Sequence, residues 1–244
     1  MKYLVCISKT PDTTTKIAFN AENTAFNGAG VTYIMNPYDE WYALVRACEL
    51  KEKQGGSVTA ICVGGVDTEQ IIRKALAIGA DDAIRVDAEP TSAYFVAKQI
   101  AANANGYDVV FLGKETIEYN GSEVGSTLAE LLDMPFISYA TAIEIAGNTA
   151  TIDREIEGGK ETLELGTPFV ISAAKGMAEQ RIPNMMGIMK AKNKPLAVVP
   201  PVETADLLEQ VALIMPPAKT GVKMIDADNI AELVRLLHEE AKVI

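Results

Sequence analysis

The chain has 244 residues, of which 48% are hydrophobic and 23% are charged, with a formal net charge of −11. This length and composition exclude a mini-protein and a disordered chain, and they indicate one large globular domain or one domain with an appendage. The negative charge argues against nucleic acid as the main partner and against binding of anionic lipid by the surface as a whole.

Targeting and redox signals are few. No uninterrupted apolar run approaches the ~20 residues that a bilayer-spanning helix needs. Met1 leads directly into a strand-like run at residues 3–7, which leaves no room for a signal peptide. We therefore expect a soluble, cytoplasmic protein without membrane insertion. Because His238 is the only histidine, neither a Cys–His pair nor a His-rich metal site is expected. Cys6, Cys48 and Cys62 each lie in an apolar stretch, which predicts buried thiols.

The first ~135 residues alternate strand-like runs with amphipathic helices, which is typical of a parallel sheet covered by helices. The strands are predicted at 4–7, 57–63, 83–86 and 109–112. Helical spacing places Trp41, Leu44, Val45 and Cys48 on one face. Asp67 is predicted to cap a second helix, with Gln70 at the capping-box position and Gly79 ending it in a left-handed conformation. Further helices are predicted at about 91–104 and 122–132.

After Pro135 the pattern changes to antiparallel strands at 143–146, 149–155 and 160–165, joined by turns at Gly147-Asn148 and Gly158-Gly159. Short strands are expected again at 169–172 and 196–199. Pro200-Pro201 and Pro216-Pro217 bracket a segment that is hard to pack as regular structure, and Asp228 is predicted to begin a terminal helix. We expect an α/β domain over 1–200, with the hairpin insertion at about 138–166, and a C-terminal arm and helix over 201–244.

Open α/β sheets bind ligands beyond the carboxyl ends of their strands. Four segments fall there: 8–12, 36–40, 63–67 and 113–125. The last is the strongest candidate, because a polar, glycine-bearing loop opens a helix whose free N–H groups can hold a phosphate without net positive charge on the protein. Asn36 with Pro37 and Asp39 also fits an ordinary helix start, with Asn36 as N-cap. Neither GxxxxGK[ST] nor GxSxG is present.

Two further segments have open interpretations. The stretch 175–194 holds four of the nine methionines, five basic residues and one acid. Its methionines suit either core packing or an adaptable docking loop. Strand alternation places Glu155 and Glu157 on one face of the hairpin, where they serve either simple solvation or partner contact.

These segments together resemble the beta subunit of electron transfer flavoprotein over essentially the full length. The resemblance is carried by MNPYDEWYALVRACELKEK, IRKALAIGADDAIRV, FLGKETIEYNGSEVG, REIEGGKETLELGTPFV and IPNMMGIMKAK, in that order. It implies a Rossmann-like fold with helices on both faces of the sheet. It also implies a heterodimer whose alpha subunit makes most of the contacts to a redox-active FAD. This chain would bury an AMP and pack its C-terminal arm on the alpha subunit.

The resemblance also implies roles for individual residues. Thr13 lies where the beta chain of the family approaches the flavin ring of the alpha subunit. Glu155 lies where the family has a glutamate implicated in productive domain arrangement. AMP contacts are expected at Cys6, Asn36, Pro37, Tyr38, Asp39, Val63, Thr116, Ile117, Glu118, Tyr119, Asn120, Gly121, Ser122, Glu123, Val124, Gly125, Ser126 and Thr127. Recognition of the partner dehydrogenase is expected within about 181–195, at Arg181, Ile182, Pro183, Met185, Met186, Ile188, Met189 and Lys190, with Met185 where the family has an anchoring leucine.

The predicted function is that of a non-catalytic carrier subunit. It would accept electrons from acyl-CoA dehydrogenases or similar flavoenzymes and pass them toward a quinone oxidoreductase. Residues 118–125 depart from the aspartate-rich or DGDTAQVG-like loop of many members. Two alternatives stay open. The first is an electron-bifurcating homologue that binds a second FAD in this chain instead of AMP, although AMP is preferred. The second is an adenine-nucleotide hydrolase or sensor.

Overall fold

The structure is a computed structural model that describes residues 1–205, 207–218 and 221–244. It divides into two compact units. The first comprises Met1–Ala18 and Asn27–Gln210, and the second comprises Phe19–Phe26 and Val211–Ile244. The predicted arm over 201–244 includes residues 206, 219 and 220, which lie outside the described residues.

The first unit is built around a nine-stranded sheet. In chain order the strands are β1 (Lys2–Cys6), β2 (Lys9–Pro11), β3 (Tyr33–Met35), β4 (Ser57–Val63), β5 (Asp82–Val86), β6 (Val109–Gly113), β7 (Phe136–Ala146), β8 (Thr149–Ile156), β9 (Gly159–Gly166), β10 (Phe169–Ala173) and β11 (Leu196–Val199). The order across the main sheet is β11-β5-β4-β1-β6-β10-β7-β8-β9, while β2 and β3 form a separate antiparallel pair. The strands from β11 to β7 pair in parallel, as the alternating pattern predicts.

Helices cover both faces of this sheet. They are α1 (Asp39–Gln54), α2 (Glu69–Ile78), α3 (Ala93–Ala101), α4 (Val124–Leu132) and α5 (Met185–Ala191). Successive side chains of β1 point to opposite faces of the sheet, where they join two separate cores. Tyr3 and Val5 pack in one core with residues of α1 and α2, while Leu4 and Cys6 pack in the second with residues of α3 and α4. The α/β fold prediction, with helices on both faces, is confirmed.

The antiparallel hairpin extends the same sheet at one edge. β7 starts parallel to β10 and continues antiparallel to β8, which then pairs with β9. Gly147 has φ 61°, in the left-handed region that a two-residue hairpin turn demands. The second turn lies one residue earlier than predicted, because Ile156 pairs with Gly159 and leaves Glu157 and Gly158 as the loop.

Two predictions about the ends of α2 are wrong. Asp67 lies in a 3-10 turn, Val66–Thr68, and its carboxylate pairs with the Lys9 ammonium at 2.5 Å instead of capping α2. Gly79 does end α2, but its φ of 164° is extended and not left-handed. A Cβ at this position would lie 2.6 Å from the Cys48 sulfur, so close packing explains the glycine.

The second unit contains the terminal helix α6 (Ile230–Leu236), continued by a π-helical turn at Leu237–Ala241. Asn229, not Asp228, is the N-cap, because its side chain accepts the Glu232 N–H. Among the described residues of 200–229 there is no helix or strand. None of the helices in the described part of the chain is long and apolar enough to cross a membrane.

Candidate functional site

The carboxyl ends of β1, β6 and β10 lie side by side in the sheet. Next to the carboxyl ends of β6 and β10 is a pocket of about 230 Å³, which we call the strand-tip pocket. Its lining comes from the start of α1, the loop that follows β6 and one residue beyond β10: Pro37, Tyr38, Asp39, Tyr42, Lys114, Glu115, Ile117, Asn120 and Lys175. Two segments predicted to meet at this edge therefore do meet there.

Asn36 ties these two segments together. Its side chain is fully buried. The amide nitrogen donates to the Glu115 carbonyl at 3.0 Å, and the amide oxygen accepts the Ile117 N–H at 3.1 Å. The prediction that Asn36 caps α1 is wrong, because its side chain is committed to the loop after β6. Tyr38 occupies the N-cap position and makes no side-chain capping bond.

Glu40 is a buried carboxylate beside the pocket, with 6% of its surface exposed. One carboxylate oxygen accepts the Ser8 N–H at 2.7 Å and the other accepts the Ser8 hydroxyl at 2.7 Å. Burial raises the pKa of Glu40 to about 8, against the opposing effect of the two Ser8 hydrogen bonds. Ser8 follows β1, so Glu40 joins the β1 strand tip to the start of α1.

The pocket wall carries both charges. Burial raises the pKa of Asp39 to about 6, while the nearby Lys114 ammonium opposes that rise. Lys114 forms an ion pair with Glu115 at 3.2 Å, and its ammonium lies 5.5 Å from the centre of the Tyr139 ring. Carboxylates here can accept hydrogen bonds from hydroxyl and amino groups, and the lysines can contact an anion.

The loop after β6 leads into the first turn of α4. Glu123 is its N-cap and provides no side-chain capping bond, so Glu123 leaves the first N–H groups of the helix uncapped. α4 begins at Val124 and not at Ser122 as predicted. A Cβ on Gly125 would lie 2.9 Å from the side chains of Leu112 and Phe136, which explains a glycine where the helix approaches the sheet.

Three residues around the pocket hold the left-handed backbone conformation without being glycine. Tyr38 has φ 64°, Asn120 has φ 50° and Ser122 has φ 54°. Such conformations cost free energy for residues that carry a Cβ, and they concentrate at functional sites. Gly113 is also required here, because a Cβ would lie 2.9 Å from the Glu40 backbone nitrogen.

The three cysteines are buried thiols, as predicted. Burial raises the pKa of Cys48 to about 11 and that of Cys62 to about 12, and it raises the pKa of Cys6 further. None is a thiolate nucleophile at neutral pH. Cys6 and Val63 end β1 and β4 but are not part of the pocket lining.

A second feature lies on the α2 side of the first unit. Asn184 is the N-cap of α5, and its side chain accepts the Gly187 N–H at 2.8 Å. We call α5 with the preceding residues 181–184 the methionine helix. Its exposed apolar side chains, with the exposed fraction of each, are Ile182 (83%), Met185 (75%), Met186 (64%), Met189 (67%) and Ile188 (43%). Core packing is therefore the wrong interpretation for these three methionines, although Met177 is buried in the core.

A family model described as an electron transfer flavoprotein domain matches residues 24–204. The electron transfer flavoprotein subunit beta of Bacillus subtilis (strain 168) is 36% identical, covering 100% of both chains. The human protein of the same name is 33% identical, covering 100% of this chain and 99% of its own length. The acryloyl-CoA reductase electron transfer subunit gamma of Anaerotignum propionicum is 32% identical, covering 82% of this chain and 77% of its own.

This chain belongs to the electron transfer flavoprotein beta-subunit family. The resemblance noted in the sequence is thereby confirmed, and the family-model match spans the strand-tip pocket, the hairpin and the methionine helix. Membership makes the chain an electron transfer protein by family name.

Two residues that the electron transfer flavoprotein resemblance singles out lie away from the strand-tip pocket lining. Thr13 is exposed and follows β2. Beside it, Asp12 accepts hydrogen bonds from the Thr14 N–H and hydroxyl. Glu155 is exposed on β8, opposite Lys160 of β9. Of the predicted AMP contacts in the β6–α4 loop, Ile117 and Asn120 line the pocket. Thr116, Glu118, Tyr119 and the residues from Gly121 to Thr127 lie beside or beyond it along the same loop and helix start.

Several residues at or beside the site are absent from the contacts that the resemblance implied. Glu40, Lys114 and Glu115 lie within the predicted strand-tip segments, whereas Tyr42 and Lys175 lie outside them. An acid in the first helical turn is ordinary helix chemistry, so only the contact with Ser8 distinguishes Glu40. Lys175 follows the buried strand β10, the neighbour of β6. Counting the carboxyl end of β10 as a fifth strand tip would have found it.

Proposed function

We propose that this chain is the beta subunit of a heterodimeric electron transfer flavoprotein, which binds AMP structurally and helps to shuttle electrons between flavoenzymes. The observation that carries the proposal is the strand-tip pocket, which lies where doubly wound α/β sheets bind nucleotides and is lined by the loop that leads to the uncapped start of α4. The buried thiols are consistent with a carrier that performs no covalent chemistry of its own.

The residues of the pocket fit AMP. Lys114 and Lys175 line the pocket and suit one phosphate group, and the uncapped N–H groups at the start of α4 follow along the same loop. Asp39 and Glu115 are hydrogen-bond acceptors suited to the hydroxyl and amino groups of a nucleoside.

The redox chemistry would come from FAD, which supplies electron acceptance and release when bound. We infer that the alpha subunit holds most of this FAD and that Thr13 lies near it, since Thr13 is exposed at the end of the β2 strand. Glu155, exposed on the hairpin, is the residue inferred to assist productive domain arrangement. The exposed apolar side chains Val211, Ile214, Val222, Met224 and Ile230 of the second unit suit an arm that packs on the alpha subunit.

The methionine helix is the proposed docking surface for the electron donor. Large exposed apolar side chains mark interaction sites, and unbranched thioethers adapt to the shape of a partner. Lys190 and Lys192 are exposed beside them, which favours an acidic rim on the partner. We infer that the donors are acyl-CoA dehydrogenases or similar flavoenzymes and that a quinone oxidoreductase receives the electrons.

Co-expression with the cognate alpha chain tests the proposal. The expected product is a stable yellow heterodimer with FAD bound, which transfers electrons from a reduced acyl-CoA dehydrogenase. A stable monomer with no affinity for that alpha chain would refute it. Incubation of the purified chain with ATP tests the hydrolase alternative, and release of ADP or AMP would favour that alternative.

A further inference from the structure

The methionine helix and α2 cap each other's C-terminal ends. One guanidinium nitrogen of Arg73, on α2, donates to the carbonyls of Ala191 and Lys194 at 2.8 and 2.7 Å. In return, the Lys194 ammonium donates to the carbonyls of Leu76, at 2.8 Å, and Ala80. The last carbonyls of a helix lack partners within the helix, so each element supplies the cation that the other one needs.

The two helices also touch through their backbones. A Cβ built on Gly187 would lie 2.6 Å from the Ala77 carbonyl oxygen, so α5 approaches α2 more closely than a side chain permits. Ala191, the last residue of α5, is 2% exposed and belongs to the core of the first unit. The side of the helix opposite the methionines is therefore fixed on α2.

The start of the same segment is held by α1. The Trp41 indole N–H donates to the Arg181 carbonyl at 3.2 Å. The Arg181 guanidinium pairs with both carboxylate oxygens of Glu52, at 2.6 and 3.0 Å. The Lys74 ammonium lies 4.3 Å from the centre of the Trp41 ring. Exposed methionines are thus presented on a backbone with contacts at both ends.

We propose that Arg73 and Lys194 are positioning residues for electron-donor docking, which hold the methionine helix in its binding orientation before the donor arrives. The inference rests on the proposed function of that helix. A helix of seven residues is marginal on its own, and ordering it during association would cost affinity. The reciprocal capping supplies this order in advance, and neither side chain needs to touch the donor.

The expected effect separates docking from electron transfer itself. Loss of the capping bonds should raise the KM for the donor flavoenzyme, whereas kcat at saturating donor should be nearly unchanged. Flavin reduction by dithionite, which needs no docking, should not change. A purely structural role would instead lower the flavin content or the melting temperature together with kcat.

The experiment uses the complete heterodimer with Arg73→Met, Lys194→Met and the rescue variant Arg73→Lys, with a reduced acyl-CoA dehydrogenase as donor. Lys2→Met is the matched control, because Lys2 is exposed at the start of β1, carries the same charge as Arg73 and Lys194 and lies outside the methionine helix. We expect KM to rise roughly five- to tenfold in the two capping variants. The rise should be smaller in Arg73→Lys and absent in Lys2→Met. Trypsin should cleave after Lys190 and Lys192 faster when the capping is lost.

A second variant keeps the test valid if the capping variants fail to fold. Gly187→Ala preserves both cations and every methionine but pushes α5 away from the Ala77 carbonyl, and it should raise KM in the same way. The positioning role alone would be overturned if KM is unchanged in folded Arg73→Met and Gly187→Ala while Met185→Asp raises it. An unchanged KM in Met185→Asp would overturn the docking function itself.

Discussion

The strand-tip pocket and the methionine helix depart from the usual distribution of side chains in opposite directions. At the pocket, Asn36 and Glu40 are buried although they are polar. On the helix, Met185 and Met189 are exposed although they are apolar. Polar groups are buried at a cost unless each finds a partner, and exposed apolar groups gain nothing until a partner covers them. The polar groups of the first region therefore find their partners within the chain, whereas the apolar groups of the second would be covered only in the proposed complex.

Substitution at Asn36 should have the largest effect, because its amide bonds are internal. Asn36→Ala leaves the Glu115 carbonyl and the Ile117 N–H without their partner. Since a buried unsatisfied group costs about 1–3 kcal/mol, we expect a loss of roughly 2–5 kcal/mol in the free energy of unfolding. Denaturant unfolding measures this loss, and nucleotide analysis should reveal depleted AMP.

Asn20→Ala is the matched control for that comparison. The Asn20 side chain also makes two hydrogen bonds to the backbone, but it accepts both, from the N–H groups of Thr24 and Ala25, and they lie at an exposed site. Water can replace those bonds, so the loss should be below about 1 kcal/mol. Equal losses at the two positions would contradict the claim that burial makes the pocket network strong.

Substitution at Met185 should change binding and leave folding intact. Met185→Asp places a charge on a side chain that is 75% exposed, so the melting temperature should move little. Desolvating that charge against an apolar partner should raise the KM for the donor by roughly tenfold or more. Steady-state assays with a reduced acyl-CoA dehydrogenase measure this change. Met185→Leu, which preserves the apolar surface, should behave like the wild type, and an identical KM in both variants would argue against docking here.

The pH dependence of stability should report on Glu40. Its pKa of about 8 lies above the ordinary value of 4.5, so the folded chain binds more protons than the unfolded chain between these values. Stability should therefore be greatest at the acidic end of this range and fall as pH rises toward 8. Asp39, with a pKa of about 6, contributes at the lower end.

Glu40→Gln isolates this contribution, because the amide resembles the neutral acid and can still bond Ser8. Between pH 6.5 and 8.5 the melting temperature of the wild type should fall by a few degrees more than that of the variant, since 1 kcal/mol corresponds to about 2–4 °C at this size. Differential scanning calorimetry across that range measures the difference. Parallel pH profiles for the two proteins would show that Glu40 does not titrate as its burial indicates.

The sequence predicted elements better than it predicted their ends. The strand Ser57–Val63 was predicted to the residue. Both of its faces are buried, so its sequence is a largely apolar run. Caps failed where tertiary contacts claimed the capping side chain. Asp67 pairs with Lys9, 58 residues away, and Asn36 bonds a loop 79 residues away. No local pattern encodes such partners.

The candidate site was predictable in position but not in detail. The rule that ligands bind at strand tips placed Tyr38 and Asn120 at one edge. The bond between Glu40 and Ser8 was not predicted, because it depends on the packing of α1 against the end of β1. For the methionine helix, composition left core packing and docking open, and the exposed fractions of its side chains exclude core packing.

Mass spectrometry of the nucleotides released from the purified heterodimer tests the central claim most directly. One AMP and one FAD per heterodimer are expected, with AMP lost in Asn36→Ala and retained in Met185→Asp. Two FAD per heterodimer would place a flavin in the strand-tip pocket and contradict the structural AMP. The absence of any adenine nucleotide beyond FAD would contradict the nucleotide function of this pocket altogether.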